Sequence, residues 1–98
     1  MEKLYNDKGE VAVAVSHGFG AGWSTWSGVD PMDKQYNELM VNKDWEALDA
    51  LCEKNEIYTG GLDQISIYWI KPGTKFIISE YDGAEGIELL EETPWLTA

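Results

Sequence analysis

A glycine-rich segment constrains the fold of this 98-residue sequence more than any other feature. Residues 18–28, GFGAGWSTWSG, contain four glycines and two tryptophans. Each glycine inside a helix costs about 1 kcal/mol relative to alanine, so the segment is predicted to be a loop with special backbone angles rather than a regular helix. Regular elements are therefore expected only before residue 18 and after residue 28.

The residues before this loop are typical of a β-strand. In residues 10–16, three valines alternate with two alanines, which places β-branched side chains on one face and small side chains on the other. The alanine face indicates that another element packs closely against the strand.

Two short helices are predicted after the loop. Asp30 and Pro31 suit the N-cap and the first position of one helix. Asp44 is the predicted N-cap of a second helix over residues 45–54. The apolar face of this second helix consists of four residues, Trp45, Leu48, Leu51 and Cys52.

The remaining sequence predicts three strands, over residues 64–70, 75–81 and 85–90. Residues 71–74, KPGT, have the chemistry of a type II turn and would join the first two strands as a hairpin, and Asp82-Gly83 would turn the chain into the third. Because like elements are grouped, the predicted class is α+β. Its sheet would be mostly antiparallel, made of the N-terminal strand and the three-stranded C-terminal meander, with the two helices on one face.

The charge balance restricts the partners of the chain. There are 18 acidic residues and seven lysines but no arginine, which gives a net charge of −11. Such a chain repels a polyanion and lacks the guanidinium groups that bind phosphate in a bidentate manner, so direct nucleic-acid binding is not expected. A partner with a basic surface is expected instead.

Length and residue usage predict the general class. Ninety-eight residues suffice for one domain, 1–98, whose modest core is compatible with a homodimer. No apolar run approaches the roughly 18 residues of a membrane helix, and the first ten residues lack the apolar part of a signal peptide. With a single cysteine, no internal disulfide can form, so we expect a cytoplasmic protein. Because it has no apolar run of membrane-helix length, we do not expect it to bind membranes.

The sequence contains no recognisable catalytic or metal-binding set. His17 is the single histidine, and Cys52 is predicted on an apolar helix face, so a nucleophile–base pair has no support from spacing. The acidic residues lack the spacing of a calcium-binding loop. We therefore predict no enzymatic activity, no metal and no cofactor.

The glycine-rich loop is compatible with two kinds of binding. Trp23 and Trp26, with hydroxyl groups beside them, could stack on a planar ligand or anchor a protein, although one or both could instead fill the core. The dinucleotide and Walker A patterns are both incomplete. A ligand site in this loop would use six residues, His17, Gly20, Gly22, Trp23, Ser24 and Trp26.

The last third of the chain is acidic and has no basic residue after Lys75. Its acids include Glu91 and Glu92 of the tail, and Glu80 with the acids near the turn would lie along one edge of the meander. These carboxylates would either protect the edge from aggregation or face a basic groove. The predicted partner-binding residues combine these acids with the tryptophans, namely Trp23, Trp26, Glu80, Asp82, Glu85 and Glu88.

Four segments of the chain carry distinctive sequences: residues 12–26, which end in GAGWSTW, residues 58–61, residues 69–76, and residues 80–85, which begin with EYDG. Together they resemble a family of small proteins encoded by tailed bacteriophages. The resemblance implies a phage accessory protein that acts in the host bacterial cytoplasm. By analogy with other small acidic phage proteins, it implies an inhibitor of host nucleic-acid machinery or of host defence, such as an anti-CRISPR protein. It supplies no catalytic residues.

These observations lead to one main hypothesis and one alternative. The main hypothesis is a non-enzymatic protein that binds and blocks a basic surface of a host protein, for example as a nucleic-acid mimic or an anti-defence inhibitor. The alternative is a small-ligand or nucleotide-binding protein that sequesters its ligand in the glycine–tryptophan loop.

Overall fold

A computed structural model describes residues 2–60 and 62–89. In this part of the chain one strand is followed by three helices and then by three more strands, which confirms the predicted α+β class. The elements are β1 Val11–Ser16, α1 Ser24–Ser27, α2 Lys34–Val41, α3 Trp45–Lys54, β2 Ile65–Ile70, β3 Phe76–Tyr81 and β4 Ala84–Leu89. A short 3₁₀ turn, Leu62–Gln64, precedes β2.

Strand β1 lies inside the protein, and all six of its residues are buried. It pairs antiparallel with β2 along one edge, with Val11 opposite Ile70. Its other edge is covered by the N-terminal segment, where the amide of Ala12 donates to the carbonyl of Leu4. The predicted close packing on the alanine face is confirmed, because Ala14 belongs to the central hydrophobic cluster.

The predicted three-stranded meander is wrong in its strand pairing. The strands form two separate two-stranded antiparallel sheets, β1–β2 and β3–β4, so β2 and β3 do not form a hairpin. The turn between them has the expected chemistry, with the amide of Thr74 bonded to the carbonyl of Lys71 and Gly73 at a φ of 85°. A turn of this type splays the strands that it joins, because its twist opposes that of a hairpin.

Helix α2 begins later than the sequence predicts. Its N-cap is Asp33 rather than Asp30, and the Asp33 side chain accepts hydrogen bonds from two amides of the first turn. Asp30 instead closes a turn by accepting a bond from the Met32 amide. The carbonyl of Pro31 accepts a hydrogen bond from the amide of Ala14, so the residues around Pro31 are held against β1 and cannot join the helix.

Helix α3 has the predicted bounds and the predicted cap, since the Asp44 side chain accepts a bond from the Ala47 amide. Leu48 and Cys52 are fully buried, whereas Trp45, on the same predicted face, is 44% exposed. The central cluster consists of Ala14, Trp23, Tyr36, Met40, Leu48 and Cys52.

The prediction that residues 18–28 form only a loop is wrong, because Ser24–Ser27 form α1, a single helical turn. This turn contains no glycine; the glycines lie before it and at Gly28, which ends it in the left-handed conformation with a φ of 78°. Glycine therefore excludes helix only at its own positions and leaves room for one turn between them.

The β3–β4 hairpin carries different side chains on its two faces. Its turn residues, Asp82 and Gly83, have φ values of 51° and 87°, as a two-residue hairpin turn requires. Paired residues share a face, so Glu80 and Glu85 lie together on the face that contacts the rest of the protein. The opposite face carries several exposed side chains, namely Ile77, Ser79, Tyr81 and Glu88.

Candidate interaction surface

The glycine-rich loop lies directly against the turn of the β3–β4 hairpin. The amide of Gly20 donates to the carbonyl of Asp82 at 2.7 Å, and the amide of Gly22 donates to the carbonyl of Gly83 at 2.8 Å. A Cβ on Gly83 would lie 2.8 Å from the Gly20 nitrogen and 2.9 Å from that of Ala21. The two segments therefore approach each other as closely as glycine alone permits.

The backbone amides of residues 20–23 in this loop all donate hydrogen bonds to other groups of the protein. Besides the bonds from Gly20 and Gly22, the amide of Ala21 donates to the carbonyl of Gly18, and that of Trp23 donates to the Ser16 hydroxyl. A phosphate-binding loop needs several free amides that point at the ligand. The alternative prediction of a nucleotide site built on Gly20 and Gly22 therefore loses its geometric basis.

Trp23 lies in the core and not on the surface. It is 2% exposed and packs edge-on against the Tyr36 ring, with centroids 5.6 Å apart. Its indole nitrogen has no hydrogen-bond partner among the described residues. The prediction that Trp23 stacks on a ligand or anchors a partner is thus corrected. Of the alternatives left open by the sequence, the structure shows the one in which one tryptophan of the pair fills the core and the other is exposed.

Glu85 is also interior, although the sequence placed it on the acidic partner surface. It is 4% exposed, and its carboxylate accepts hydrogen bonds from the amide of Ser16, the amide of Thr25 and the Thr25 hydroxyl. These bonds connect β4 to the end of β1 and to α1. Glu85 is therefore a structural carboxylate and cannot present its charge to a partner.

Four exposed aromatic side chains surround the hairpin turn, and we call them the aromatic surface: Phe19, Trp26, Tyr58 and Tyr81. Phe19 and Tyr81 are 74% and 76% exposed and contact each other edge-on, with centroids 6.2 Å apart. Trp26 and Tyr58 are nearly half exposed, and their ring centroids are 5.8 Å apart. The Tyr58 hydroxyl donates to the carbonyl of Gly20 at 2.6 Å, which ties this pair to the loop.

Of these four residues, sequence reasoning selected only Trp26 as a binding residue. The strand alternation could have found Tyr81, because that pattern puts it on the face opposite Glu80. No local pattern brings Phe19 beside Tyr81 or Tyr58 beside Trp26, since these contacts join segments far apart in the chain.

Carboxylates flank the aromatic surface. One oxygen of Glu80 accepts bonds from the Trp26 indole nitrogen at 3.3 Å and from the Gly83 amide at 3.2 Å. Asp82 is exposed in the turn, and Glu88 is exposed on the same sheet face as Tyr81. Three of the predicted acids, Glu80, Asp82 and Glu88, are thus exposed. Glu91 and Glu92 lie outside the described residues.

The structure does not bring the two candidate catalytic side chains together. His17 is exposed at the end of β1 and bonds through its Nε2 atom to the Tyr68 hydroxyl at 2.9 Å. Cys52 is buried in the central cluster. Burial raises the pKa of the Cys52 thiol above its ordinary 9.0, and the negative charge of Asp49 raises it further.

The raised thiol pKa predicts lower stability in alkali. Above pH 9.0 the unfolded chain releases the Cys52 proton while the folded chain keeps it, so the free energy of unfolding should fall with pH. The slope from one group is at most about 1.4 kcal/mol per pH unit. Urea unfolding between pH 8 and 10.5 measures how the free energy of unfolding changes with pH, and this free energy should fall less steeply in Cys52→Ala. Equal slopes for the two proteins would contradict the prediction.

Among the residues that the structure describes, no group of three or more His, Cys, Asp or Glu side chains is arranged to hold a metal ion. The helices of residues 2–60 and 62–89 are all too short or too polar to cross a membrane. No protein-family model matches the chain, and no curated protein or solved structure is significantly similar to it.

Proposed function

We propose that this protein binds and blocks a basic surface on another protein, with the aromatic surface as its anchor. The observation that carries the proposal is the position of Phe19, Trp26, Tyr58 and Tyr81, which are all exposed around a single turn. Aromatic side chains contribute most of the affinity at many protein interfaces. Large exposed aromatic clusters are uncommon on surfaces that do not bind anything.

Two of the four aromatic side chains, Trp26 and Tyr58, are held in place by hydrogen bonds before a partner arrives. The Tyr58 hydroxyl is bonded to Gly20, and the Trp26 indole is bonded to Glu80. Both the loop and the turn are cross-linked by backbone hydrogen bonds. A surface that is already ordered loses less conformational entropy on binding, so more of the contact energy contributes to affinity.

Charge determines the kind of partner that this surface suits. Glu80 and Asp82 are exposed at the hairpin turn beside the aromatic rings, and Glu88 is exposed further along the same sheet face as Tyr81. The sequence from residue 76 onward has no lysine. Aromatic faces next to carboxylates attract lysine and arginine side chains. The net charge of −11 adds long-range attraction for a cationic groove, such as one that ordinarily binds nucleic acid.

The resemblance to small phage proteins directs the search for the partner to bacterial proteins. An acidic protein that occupies a nucleic-acid-binding groove prevents the normal ligand from entering by simple competition. This function needs binding and charge complementarity only, so the separation of His17 from Cys52 does not affect it.

Capture from a bacterial lysate tests the proposal. The immobilised chain is expected to retain basic proteins at about 50 mM salt and to release them near 0.5 M salt, because screening weakens exposed charge pairs. Trp26→Ala and Tyr81→Ser should each reduce retention at least about tenfold, as loss of a central aromatic anchor does. A retained protein should lose its nucleic-acid binding when the acidic chain is added.

Matched variants distinguish binding through the aromatic surface from nonspecific binding. Tyr5→Ser removes an aromatic ring that is 54% exposed elsewhere and should leave retention unchanged. Glu80→Gln with Asp82→Asn should weaken binding more than Glu38→Gln with Glu46→Gln, although both pairs remove two charges. Retention that is absent at low salt, or equal in all these variants, would disprove the proposal.

A further inference from the structure

A cavity at the start of α3 shares no lining residue with the aromatic surface. Its volume is about 410 Å³, and it is lined by Trp45, Leu62, Asp63 and Ile65. This volume lies within the range of cavities that bind small molecules. Such sites combine apolar walls with a few polar groups that orient the ligand, and this cavity has three apolar side chains and one carboxylate.

Trp45 forms one apolar wall of the cavity and is partly exposed to solvent. Its position places it on the predicted core-facing side of α3, yet it is 44% exposed while Leu48 on that side is fully buried. Its ring makes no aromatic contact or side-chain hydrogen bond within residues 2–60 and 62–89. Leu62 and Ile65 pack against the core, so the cavity walls are anchored.

Asp63 is the one charged side chain among the lining residues. It is exposed, and its carboxylate has no hydrogen bond or ion pair within the described part of the chain. Asp63 and the partly exposed Trp45 line the same cavity, and a carboxylate together with an indole ring is a combination that binds organic cations. The carboxylate neutralises the charge, and the ring attracts it through its π electrons.

We propose that this cavity binds a small organic amine with an apolar body. The protonated amine would lie between the Asp63 carboxylate and the Trp45 ring, and the apolar body would contact Leu62 and Ile65. The net charge of −11 attracts a cation to the protein and repels an anion of the same shape.

Three probes of similar shape and different charge test this assignment by NMR titration of the full chain. Phenethylamine should shift the Trp45 indole NH signal, assigned with Trp45→Phe, in a saturable manner. Its affinity should exceed that of phenethyl alcohol at least about fivefold, because only the amine carries the charge. Phenylacetate should cause no saturable shift.

Variants at exposed positions provide the controls. Asp63→Asn should weaken phenethylamine binding about fivefold and leave phenethyl alcohol unchanged, whereas Glu46→Gln removes the same charge outside the cavity lining and should change neither. Trp26→Ala should leave amine binding intact, because the cavity does not depend on the aromatic surface. Three results would overturn the assignment: equal affinity for amine and alcohol, no saturable shift at Trp45, or tighter binding of pentalysine than of phenethylamine.

Discussion

Replacing Glu85 with glutamine is expected to lower the free energy of unfolding by about 2–3 kcal/mol. The carboxylate accepts bonds from the amides of Ser16 and Thr25 through different oxygens. A glutamine has only one side-chain acceptor oxygen, so in either orientation its NH₂ group faces one of these amides. A buried donor is then left without an acceptor, and the junction of β1, α1 and β4 weakens.

Thermal and urea unfolding measure this effect, which corresponds to a fall of roughly 10 °C or more in Tm for a protein of this size. Glu88→Gln is the matched control, because Glu88 is exposed on the same strand and should change stability by less than about 0.5 kcal/mol. Thr25→Val, which removes only the hydroxyl bond, should cost about 1 kcal/mol. If Glu85→Gln is no more destabilising than Glu88→Gln, the structural role of this carboxylate is wrong.

Gly83→Ala should destabilise the protein by about 2–5 kcal/mol and displace the glycine-rich loop. Its φ of 87° strains any L side chain by about 1–2 kcal/mol. The added Cβ also meets the Gly20 and Ala21 nitrogens and the Trp26 ring within 3 Å. Overpacking against backbone costs about 1–3 kcal/mol more, and relief of the clash would break the Gly20–Asp82 hydrogen bond.

Gly73→Ala separates these two costs. Gly73 has almost the same φ, 85°, but nothing lies within 4 Å of its added Cβ, so only the backbone strain remains. The difference in unfolding free energy between the two variants therefore measures the close approach alone. The NMR chemical shifts of the Gly20 and Gly22 amides should change in Gly83→Ala and should stay the same as in the unmodified protein in Gly73→Ala. Equal destabilisation by both variants would contradict the tight contact.

The aromatic surface connects this packing to the proposed function. Tyr58 is bonded to the carbonyl of Gly20, and Trp26 is bonded to Glu80, whose carboxylate also accepts the Gly83 amide. A displaced loop would move both rings. Gly83→Ala should therefore reduce partner capture beyond the loss that unfolding explains, whereas Gly73→Ala should not.

Several elements could be predicted from short stretches of sequence because their causes are local. Asp44 caps α3 through a bond three residues away, and the Asp82-Gly83 turn needs only two residues that tolerate a positive φ. The alternation of valine and alanine in β1 likewise predicted both the strand and its closely packed face. Even the error at α2 is local in origin, because Asp30 and Asp33 are both able to bond to nearby amides.

The candidate site was less predictable because it depends on contacts between distant segments. The acidic pattern treated Glu80, Glu85 and Glu88 alike, yet Glu85 is taken into the interior by amides 60 and 69 residues away. Trp23 and Trp26 are three residues apart, and only the packing of the loop against the hairpin turn separates a buried ring from an exposed one.

By itself, the sequence determined the acidic character of this protein, its α+β class, and the positions of most helices, strands and turns. These properties depend on composition and on interactions within a few residues. Only the tertiary structure decided which strands pair, which carboxylates remain exposed, and which aromatic rings meet at the surface. Burial and strand pairing are settled by segments far apart in the chain, and their mutual positions have no signature in any local pattern.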